Sequence, residues 1–138
     1  MKIVIAGAGE VGTHLAKLLS KEGLDIILID ADETKLQFVD ANYNLMTLTG
    51  KPTSFKVLKN ANVNGCDLFI AVTPFETRNI VACQFAKKLG ARKTVARIDN
   101  YEFQKPQYRA YFAEPGVDEL IYPENYYGSQ SHLGQELV

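Results

Sequence analysis

Short apolar runs alternate with helical patterns along most of this chain. Of all the features of the sequence, this alternation narrows the choice of fold the most. Each run is about one strand long; they are Lys2–Ala6, Asp25–Asp30, Leu45–Leu48, Leu68–Val72 and Thr94–Ile98. The second and fourth runs are almost continuously apolar, which is typical of parallel strands that are buried on both faces. Strands that alternate with helices in this way predict an α/β fold with a doubly wound parallel sheet and helices on both faces.

The intervals between the runs predict where the helices begin and end. The first helix has apolar residues at helical spacing, which are Val11, Leu15, Leu18 and Leu19. Asp32 is expected to cap the second helix, and Thr53 or Ser54 a short third one. Thr73 followed by Pro74 predicts an N-cap and first position for the fourth helix, which ends at Gly90. That helix carries Ile80, Val81, Gln84, Phe85 and Leu89.

The pattern loosens after the fifth run, and this sets the expected domain boundary. Residues Tyr101–Tyr111 are expected to be helical with an interruption at Pro106, and Gly116–Tyr122 predicts a turn and a sixth short strand. From Pro123 onward the chain is rich in Gly, Ser, Gln and Tyr. We therefore expect one domain over residues 1–122, and a linker or the start of another element over 123–138.

Charge and cysteine usage exclude several functional classes. The 138 residues include 15 Lys and Arg against 16 Asp and Glu, a net charge of −1 that does not favour binding to nucleic acid or to an anionic membrane. No apolar run approaches the ~20 residues that span a bilayer, so we expect no direct membrane insertion. Met1 leads straight into a short apolar strand, without a basic region and an apolar stretch of about 7–15 residues, so we expect no signal peptide. Cys66 and Cys83 form no C-x-x-C pair, which indicates a reduced, intracellular setting and two small buried hydrophobic residues.

A glycine-rich loop follows the first strand and opens the first helix. It has the pattern G-x-G-x-x-G, in the residues Gly7, Ala8, Gly9, Glu10, Val11 and Gly12. In a Rossmann-like fold the first glycine permits the tight turn, the second lets a pyrophosphate approach the backbone, and the third lets helix and strand pack closely. The N–H groups and the positive dipole end of the helix favour an anion there.

An acidic residue supports this interpretation. Asp30 ends the second strand, and a carboxylate there can accept hydrogen bonds from the 2′- and 3′-hydroxyls of a ribose. It would repel a 2′-phosphate, so NAD(H) or an adenosine nucleotide such as ATP or ADP is favoured over NADP(H). The alternative is that the glycines only make a tight turn and that Asp30 caps a helix.

Two further strand ends are expected to face the same crevice, because ligands of open α/β sheets bind beyond the carboxyl ends of strands. Thr73 and Pro74 follow the fourth strand, where the Thr73 hydroxyl can bind a ribose or a phosphate as well as cap a helix. Arg97 ends the fifth strand, where a guanidinium suits a phosphate; the alternative for Arg97 is a surface ion pair.

Catalytic and metal-binding residues are not expected. Tyr101 and Lys105 have the Y-x-x-x-K spacing of short-chain dehydrogenases, but the motif directly follows the fifth strand, abuts Pro106 and has no convincing catalytic Ser before it. His14 and His132 belong to no ligand pattern, and His14 is expected to be an exposed or half-buried helix residue.

Together these residues resemble a known family. The opening from Met1 through Gly12 is similar to that of TrkA N-terminal domains, also called RCK or KTN domains, which are cytoplasmic regulatory modules of potassium uptake systems and potassium channels. Further matching segments are Ile29–Asp32, Ala71–Thr73 with Asn79–Ala82, Ala96–Ile98 and Gly116–Asp118, followed by Pro123 and Glu124. By position, the resemblance assigns the glycine loop to the dinucleotide, Asp30 to the ribose, and Thr73, Pro74 and Arg97 to the same site.

The resemblance also implies a function. It indicates a cytoplasmic regulatory subunit, peripheral at the inner face of the cell membrane, that binds NAD(H) or ATP/ADP, forms homo-oligomers in which dimers assemble into a ring, and controls a potassium-translocating membrane protein. Two alternatives from other classes are the cofactor domain of an NAD-dependent oxidoreductase and a soluble redox or nucleotide sensor with another partner.

Overall fold

Six strands form one parallel sheet in the computed structural model, which describes residues 1–113 and 115–122. The strands are β1 (Lys2–Ala6), β2 (Asp25–Asp30), β3 (Met46–Thr49), β4 (Leu68–Ala71), β5 (Thr94–Arg97) and β6 (Glu119–Ile121). Their order across the sheet is β3-β2-β1-β4-β5-β6, and every neighbouring pair is parallel. The predicted Rossmann-like sheet of about six strands is confirmed, with small shifts at the strand ends.

Five α-helices and one 3₁₀ turn connect these strands. The helices are α1 (Glu10–Ser20), α2 (Glu33–Asn42), α3 (Phe55–Asn60), α4 (Glu76–Lys88) and α5 (Pro106–Ala113), and the 3₁₀ turn spans Tyr101–Gln104. Two predicted caps are confirmed: Asp32 accepts a hydrogen bond from the Thr34 N–H at 3.0 Å, and Ser54 accepts one from the Val57 N–H at 3.3 Å. Pro106 occupies the first position of α5, where its missing N–H has no cost.

The predicted start of α4 is wrong. Thr73 is not its N-cap and Pro74 is not its first residue, because the helix begins at Glu76 with Phe75 at the N-cap position. The Thr73 hydroxyl instead accepts the Phe75 N–H at 3.2 Å and donates to Asn79 Oδ1 at 2.6 Å. A side chain within the helix therefore holds Thr73 outside it, and the chain needs two more residues to enter the first turn.

Each face of the sheet has its own apolar core. Helices α1 and α2 cover one face, where Ile5, Leu28 and Leu36 are buried together. Helices α3 and α4 cover the other, where Phe69 and Leu58 are buried. The expected linker over residues 123–138, with His132, lies outside the part of the chain that the structure describes.

Small residues bring α4 close to the sheet. Its buried residues are Asn79, Ala82, Cys83 and Ala86. The larger residues named from the sequence, Ile80, Val81, Gln84, Phe85 and Leu89, are only half-buried. On α1, Leu18 is exposed although it fits the helical spacing. The two cysteines are buried, as expected.

The strand order reverses between β1 and β4. The chain runs outward from β1 to β3, then crosses back to β4 on the other side of β1. In open α/β sheets, ligands bind in the crevice beyond the carboxyl ends of the strands at such a reversal. The loops after β1, β2, β4 and β5 therefore surround the place where a ligand is expected.

Candidate functional site

Two glycines of the loop after β1 are required by the protein's own packing. Gly7 has φ +116°, and a Cβ there would lie 2.9 Å from the Thr73 nitrogen. A Cβ on Gly12 would overlap the carbonyl oxygen of Gly7. The first and third glycines thus let the loop, α1 and the end of β4 come together, which confirms the roles predicted from the motif for the turn and for close packing.

Gly9 lies in a more open environment than Gly7 and Gly12. Its backbone is extended, with φ −76° and ψ −162°, and it occupies the N-cap position of α1. A Cβ built on Gly9 meets no atom of the described chain within 4 Å. Neither backbone strain nor packing therefore requires glycine there, and the position leaves the backbone open to a molecule from outside.

Asp30 lies directly beside this loop. Its Oδ2 accepts the backbone N–H of Ala8 at 2.7 Å, and its Oδ1 accepts the N–H of Asp32 at 2.7 Å. Asp30 is half-buried, whereas Asp32 performs the capping of α2. Because an ionised carboxylate has about four acceptor positions, each oxygen of Asp30 keeps the capacity to accept a further hydrogen bond.

Thr73 and Arg97 are brought together through a residue that the sequence analysis did not assign to the site. The Asn79 amide is completely buried; its Nδ2 donates to the carbonyl of Thr73 and to the carbonyl of Arg97, both at 2.9 Å. Its Oδ1 accepts from the backbone N–H of Thr73 at 3.0 Å. Pro74 is exposed on the same loop.

Glu76 is a second residue that sequence reasoning missed. One of its oxygens accepts the backbone N–H groups of Asp99 and Asn100, each at 3.0 Å. The Arg97 side chain, 22% exposed, forms an ion pair of 3.4 Å with Asp99, as the alternative of an ion pair predicted. The first turn of α4 therefore holds the chain that leaves β5.

A signal for Asn79 was present in the sequence. It occupies the same helical stripe as Ala82, Cys83 and Ala86, at i, i+3, i+4 and i+7. An amide in a stripe of small buried residues needs hydrogen-bonding partners, because leaving it unpaired costs about 1–3 kcal/mol. Glu76 gives no such signal, since an acidic residue is common in the first turn of any helix.

An open groove of about 600 Å³ begins at the glycine loop and runs between α1 and α2. Its lining residues are Ala8, Gly9, Glu10, Thr13, His14, Lys17, Lys35 and Tyr43. Two lysines face one glutamate there, so the groove has a weakly cationic lining beside the free face of Gly9. His14 is exposed, as expected from its helical position. Asp30, Thr73 and Arg97 do not line this groove.

The other ionisable groups do not indicate catalysis. Burial raises the pKa of the Cys66 and Cys83 thiols, so both stay protonated at neutral pH. Tyr101 is 59% exposed and stands in the 3₁₀ turn. Among residues 1–113 and 115–122, no three His, Cys, Asp or Glu side chains come together in a group that could hold a metal ion.

Comparison with known proteins gives one consistent family. The TrkA-N domain family matches residues 3–123. The chain is 41% identical over 127 residues to the Trk system potassium uptake protein TrkA of Haemophilus influenzae, and 32% identical over 124 residues to a TrkA homolog of Methanothermobacter thermautotrophicus. These matches cover 91% and 90% of the chain but only 28% and 55% of the two relatives, so the chain spans at most about half of their length.

Solved structures show the same fold. The TrkA-N domain of the inner membrane protein ybaL from Escherichia coli superposes with a TM-score of 0.79 at 16% identity, covering 97% of this chain and 95% of that one. The GsuK channel bound to NAD gives a TM-score of 0.71 at 15% identity over 87% of this chain and 21% of the channel. A second GsuK structure, bound to ADP, also gives 0.71 at 15% identity, over 88% of this chain and 31% of the channel.

Proposed function

This chain belongs to the TrkA-N domain family, and on that premise we propose that it is a nucleotide-binding regulatory domain that controls a potassium-translocating membrane protein. Two relatives are named as components of a potassium uptake system, and a structural neighbour is a channel solved with NAD and with ADP. Those names support the proposal. The residues of this chain supply its chemistry.

The ligand that the site favours is NAD(H) or ATP/ADP, which share an adenosine diphosphate unit. The observation that carries this proposal is the contact of Asp30 Oδ2 with the Ala8 N–H at 2.7 Å, because it puts the carboxylate within one residue of Gly9. A diphosphate that lies against the N–H groups at the start of α1 then has its ribose beside Asp30. A 2′-phosphate would meet the carboxylate, so NADP(H) is disfavoured.

Each glycine-loop residue has a part in this arrangement. Gly9 lets the diphosphate approach the backbone. The N–H groups of Glu10 and Val11 can donate to it, because the first N–H groups of a helix have no partner within the helix, and the positive end of the helix dipole favours the anion. Gly7 and Gly12 keep the loop against Thr73 and the sheet. Thr73, Pro74 and Arg97 are proposed to contact the part of the ligand beyond the diphosphate.

We further propose that the chain is not an enzyme. The relatives are named for potassium uptake, and Tyr101 of the dehydrogenase-like motif stands exposed on a 3₁₀ turn, four residues from Lys105. Substrate-dependent consumption of NADH by the purified chain would favour the oxidoreductase alternative. Nucleotide-dependent association with a partner other than a potassium transporter would favour the soluble sensor.

Assembly into dimers and a ring at the inner face of the membrane is part of the proposal. The half-buried apolar residues of α4 are a candidate contact surface, and the ring of Phe85 packs at a tilt against that of Phe55, which is 48% exposed, with the ring centroids 4.3 Å apart. No helix among the described residues is both long and apolar enough to cross a bilayer. A ligand can shift such an assembly only by as much as its affinities for the two arrangements differ.

A thermal-unfolding panel with NAD, NADH, ATP, ADP and NADP tests the ligand proposal. We expect NAD(H) or ATP/ADP to raise the Tm and NADP to leave it unchanged. Asp30→Ala should abolish the ligand-induced shift, whatever its effect on the unliganded Tm, because the ribose loses its acceptor. Asp25→Ala is the matched control, since it removes an exposed carboxylate from the opposite end of the same strand.

The panel has clear contrary outcomes. A Tm shift with NADP equal to that with NAD would refute the role of Asp30 in excluding a 2′-phosphate. An equal loss of the ligand shift in Asp25→Ala would show that the effect of Asp30→Ala is not local to the crevice. No shift with any of the five nucleotides would refute nucleotide binding itself.

A further inference from the structure

Asn79 is one of two polar side chains that are fully buried in the described part of the chain, and its amide is fully used. Nδ2 donates two hydrogen bonds and Oδ1 accepts two, from the N–H and the hydroxyl of Thr73. An amide offers two donors and two acceptor positions, so no hydrogen-bonding capacity of Asn79 is left over. Its position is therefore fixed by the backbone of two different strand ends.

Those strand ends separate at this point. The ladder between β4 and β5 ends at the pair Ala71 and Ala96. Beyond it, Thr73 and Arg97 are joined by the Asn79 side chain, which donates to the carbonyls of both at 2.9 Å. Asn79 thus replaces the ladder hydrogen bonds where the two strands part at the crevice.

Glu76, one turn before Asn79 on α4, also binds the segment that follows β5. A single carboxylate oxygen accepts the N–H groups of Asp99 and Asn100 at 3.0 Å each. Since Arg97 pairs with Asp99 at 3.4 Å, the same segment that Glu76 holds also orients the guanidinium. The backbone of residues 97–100 is therefore attached to the first turn of α4 at three points.

We propose that Asn79 and Glu76 are positioning residues of the nucleotide site. They hold Thr73 and Arg97 in the geometry that receives the ligand, without contacting the ligand themselves. This inference rests on the proposed function. Its consequence is that substitution of either residue weakens nucleotide binding in chains that remain folded.

Calorimetric titration with NADH and with ADP, at a temperature where each variant is folded by circular dichroism, measures this. We expect Asn79→Ala to weaken the affinity tenfold or more. The control is Thr94→Val, which removes the other fully buried polar side chain, at the opposite end of β5. It should lower the Tm and leave the affinity within twofold of wild type.

A second pair of variants keeps the test decisive if Asn79→Ala fails to fold. Glu76 is half-buried, so its replacement disturbs packing less. We expect Glu76→Ala to weaken binding severalfold, and Glu76→Gln to restore it, because the amide oxygen can accept the same two N–H groups. Equal affinities for Glu76→Ala, Glu76→Gln and wild type would overturn the proposal for Glu76.

Action through Arg97 can be measured directly by a double-mutant cycle. If Asn79 acts by holding Arg97, the double variant Asn79→Ala with Arg97→Ala binds little more weakly than Arg97→Ala alone. Fully additive losses would overturn action through the Arg97 side chain, and wild-type affinity in folded Asn79→Ala would overturn the role of Asn79 altogether while leaving nucleotide binding intact. Failure of the wild-type chain to bind NADH or ADP would instead refute the proposed function and this inference together.

Discussion

The amino edge of the sheet, where the strands begin, and the carboxyl edge, where they end, differ in what their charged and polar side chains bind. At the amino edge, oppositely charged side chains pair with one another: Lys87 with Asp118 at 2.8 Å, Arg92 with Asp67 at 3.3 Å and Lys93 with Glu119 at 3.8 Å. The carboxylates of Asp67 and Asp118 also accept the backbone N–H groups of Lys2 and Thr94. At the carboxyl edge, where Arg97 pairs with Asp99 at 3.4 Å, the polar side chains mainly bind backbone groups of the loops. Asp30 accepts from the glycine loop, Glu76 accepts from the chain after β5, and Asn79 joins Thr73 to Arg97.

This difference predicts that the amino edge contributes to the stability of the fold and the carboxyl edge to ligand binding as well. Charged side chains at the amino edge pair with one another and connect the segments that enter β4, β5 and β6 and the end of α4. Side chains at the carboxyl edge hold the loops that surround the proposed nucleotide site. Substitutions at the amino edge should therefore change the free energy of unfolding alone, whereas those at the carboxyl edge should change ligand affinity as well.

The largest effect is expected at Gly12 of the carboxyl edge. In Gly12→Ala the new Cβ overlaps the Gly7 carbonyl oxygen, which is backbone and cannot rotate away. We expect a loss of about 4 kcal/mol or more, a large part of the stability of a domain this size. Chemical denaturation followed by circular dichroism measures it.

Gly9→Ala is the matched control for Gly12→Ala and sharpens the comparison. Its Cβ meets no protein atom within 4 Å and its backbone is ordinary, so the stability should stay within about 1 kcal/mol of wild type. NADH and ADP should nevertheless bind at least tenfold more weakly, because the methyl group enters the space where the diphosphate lies. Unfolding of both variants alike, or normal binding by Gly9→Ala, would contradict the assignment.

An intermediate effect is expected for Asp118→Asn at the amino edge. Burial raises the pKa of Asp118, but hydrogen bonds from Lys87 and from the Thr94 N–H outweigh it and leave the pKa below its ordinary value. The ionised form is thus favoured in the folded state, and its contribution is complete above the ordinary pKa and is lost as the pH falls through the folded pKa. We expect Asp118→Asn to cost about 1 kcal/mol at pH 7 and less at pH 3.

Denaturation curves from pH 7 to pH 3 measure this convergence. The pKa of Asp67 is also lowered, chiefly by the backbone N–H of Lys2, so wild type and variant share that acid sensitivity and their difference isolates Asp118. NADH affinity should be unchanged at pH 7. A gap that widens toward pH 3, or weaker NADH binding, would break the separation of the two edges.

The smallest effect is expected for Lys93→Ala. Lys93 and Glu119 are 55% and 51% exposed and lie 3.8 Å apart, and ion pairs of this kind contribute about 0–1 kcal/mol. The variant should unfold within about 0.5 kcal/mol of wild type and bind NADH normally, as measured by urea titration and calorimetry. A loss above 2 kcal/mol would mean that the exposed pairs of the amino edge matter more than the comparison allows.

The strands could be predicted from the sequence because each is a short apolar run between strong turn signals. Lys2–Ala6 and Asp25–Asp30 are strands in the structure, as predicted, and the other three runs differ by one residue at one or both ends. The glycine loop and Asp30 could also be predicted from the sequence, since one strand–helix turn and a fixed spacing define them. Their close contact in the structure agrees with that prediction.

The environment of Thr73 could not be predicted in the same way. Thr73 and Pro74 have the local signature of a helix start, and only the partner six residues away, Asn79, keeps them outside α4. Its carbonyl partner Arg97 is eighteen residues further along the chain. Which strand end lies over the first turn of α4 is a property of the assembled sheet, so the spacing indicates that Asn79 is buried but assigns neither Asn79 nor Glu76 to the site.

A crystal structure of the chain grown with saturating ADP shows whether the glycine loop and Asp30 bind a nucleotide, since ADP is the unit that NAD(H) and ATP share. We expect the diphosphate against the N–H groups at the start of α1, beside Gly9, and both ribose hydroxyls within hydrogen-bond distance of Asp30. ADP bound between α1 and α2 with its ribose away from Asp30, or a crevice left empty at saturation, would contradict this expectation.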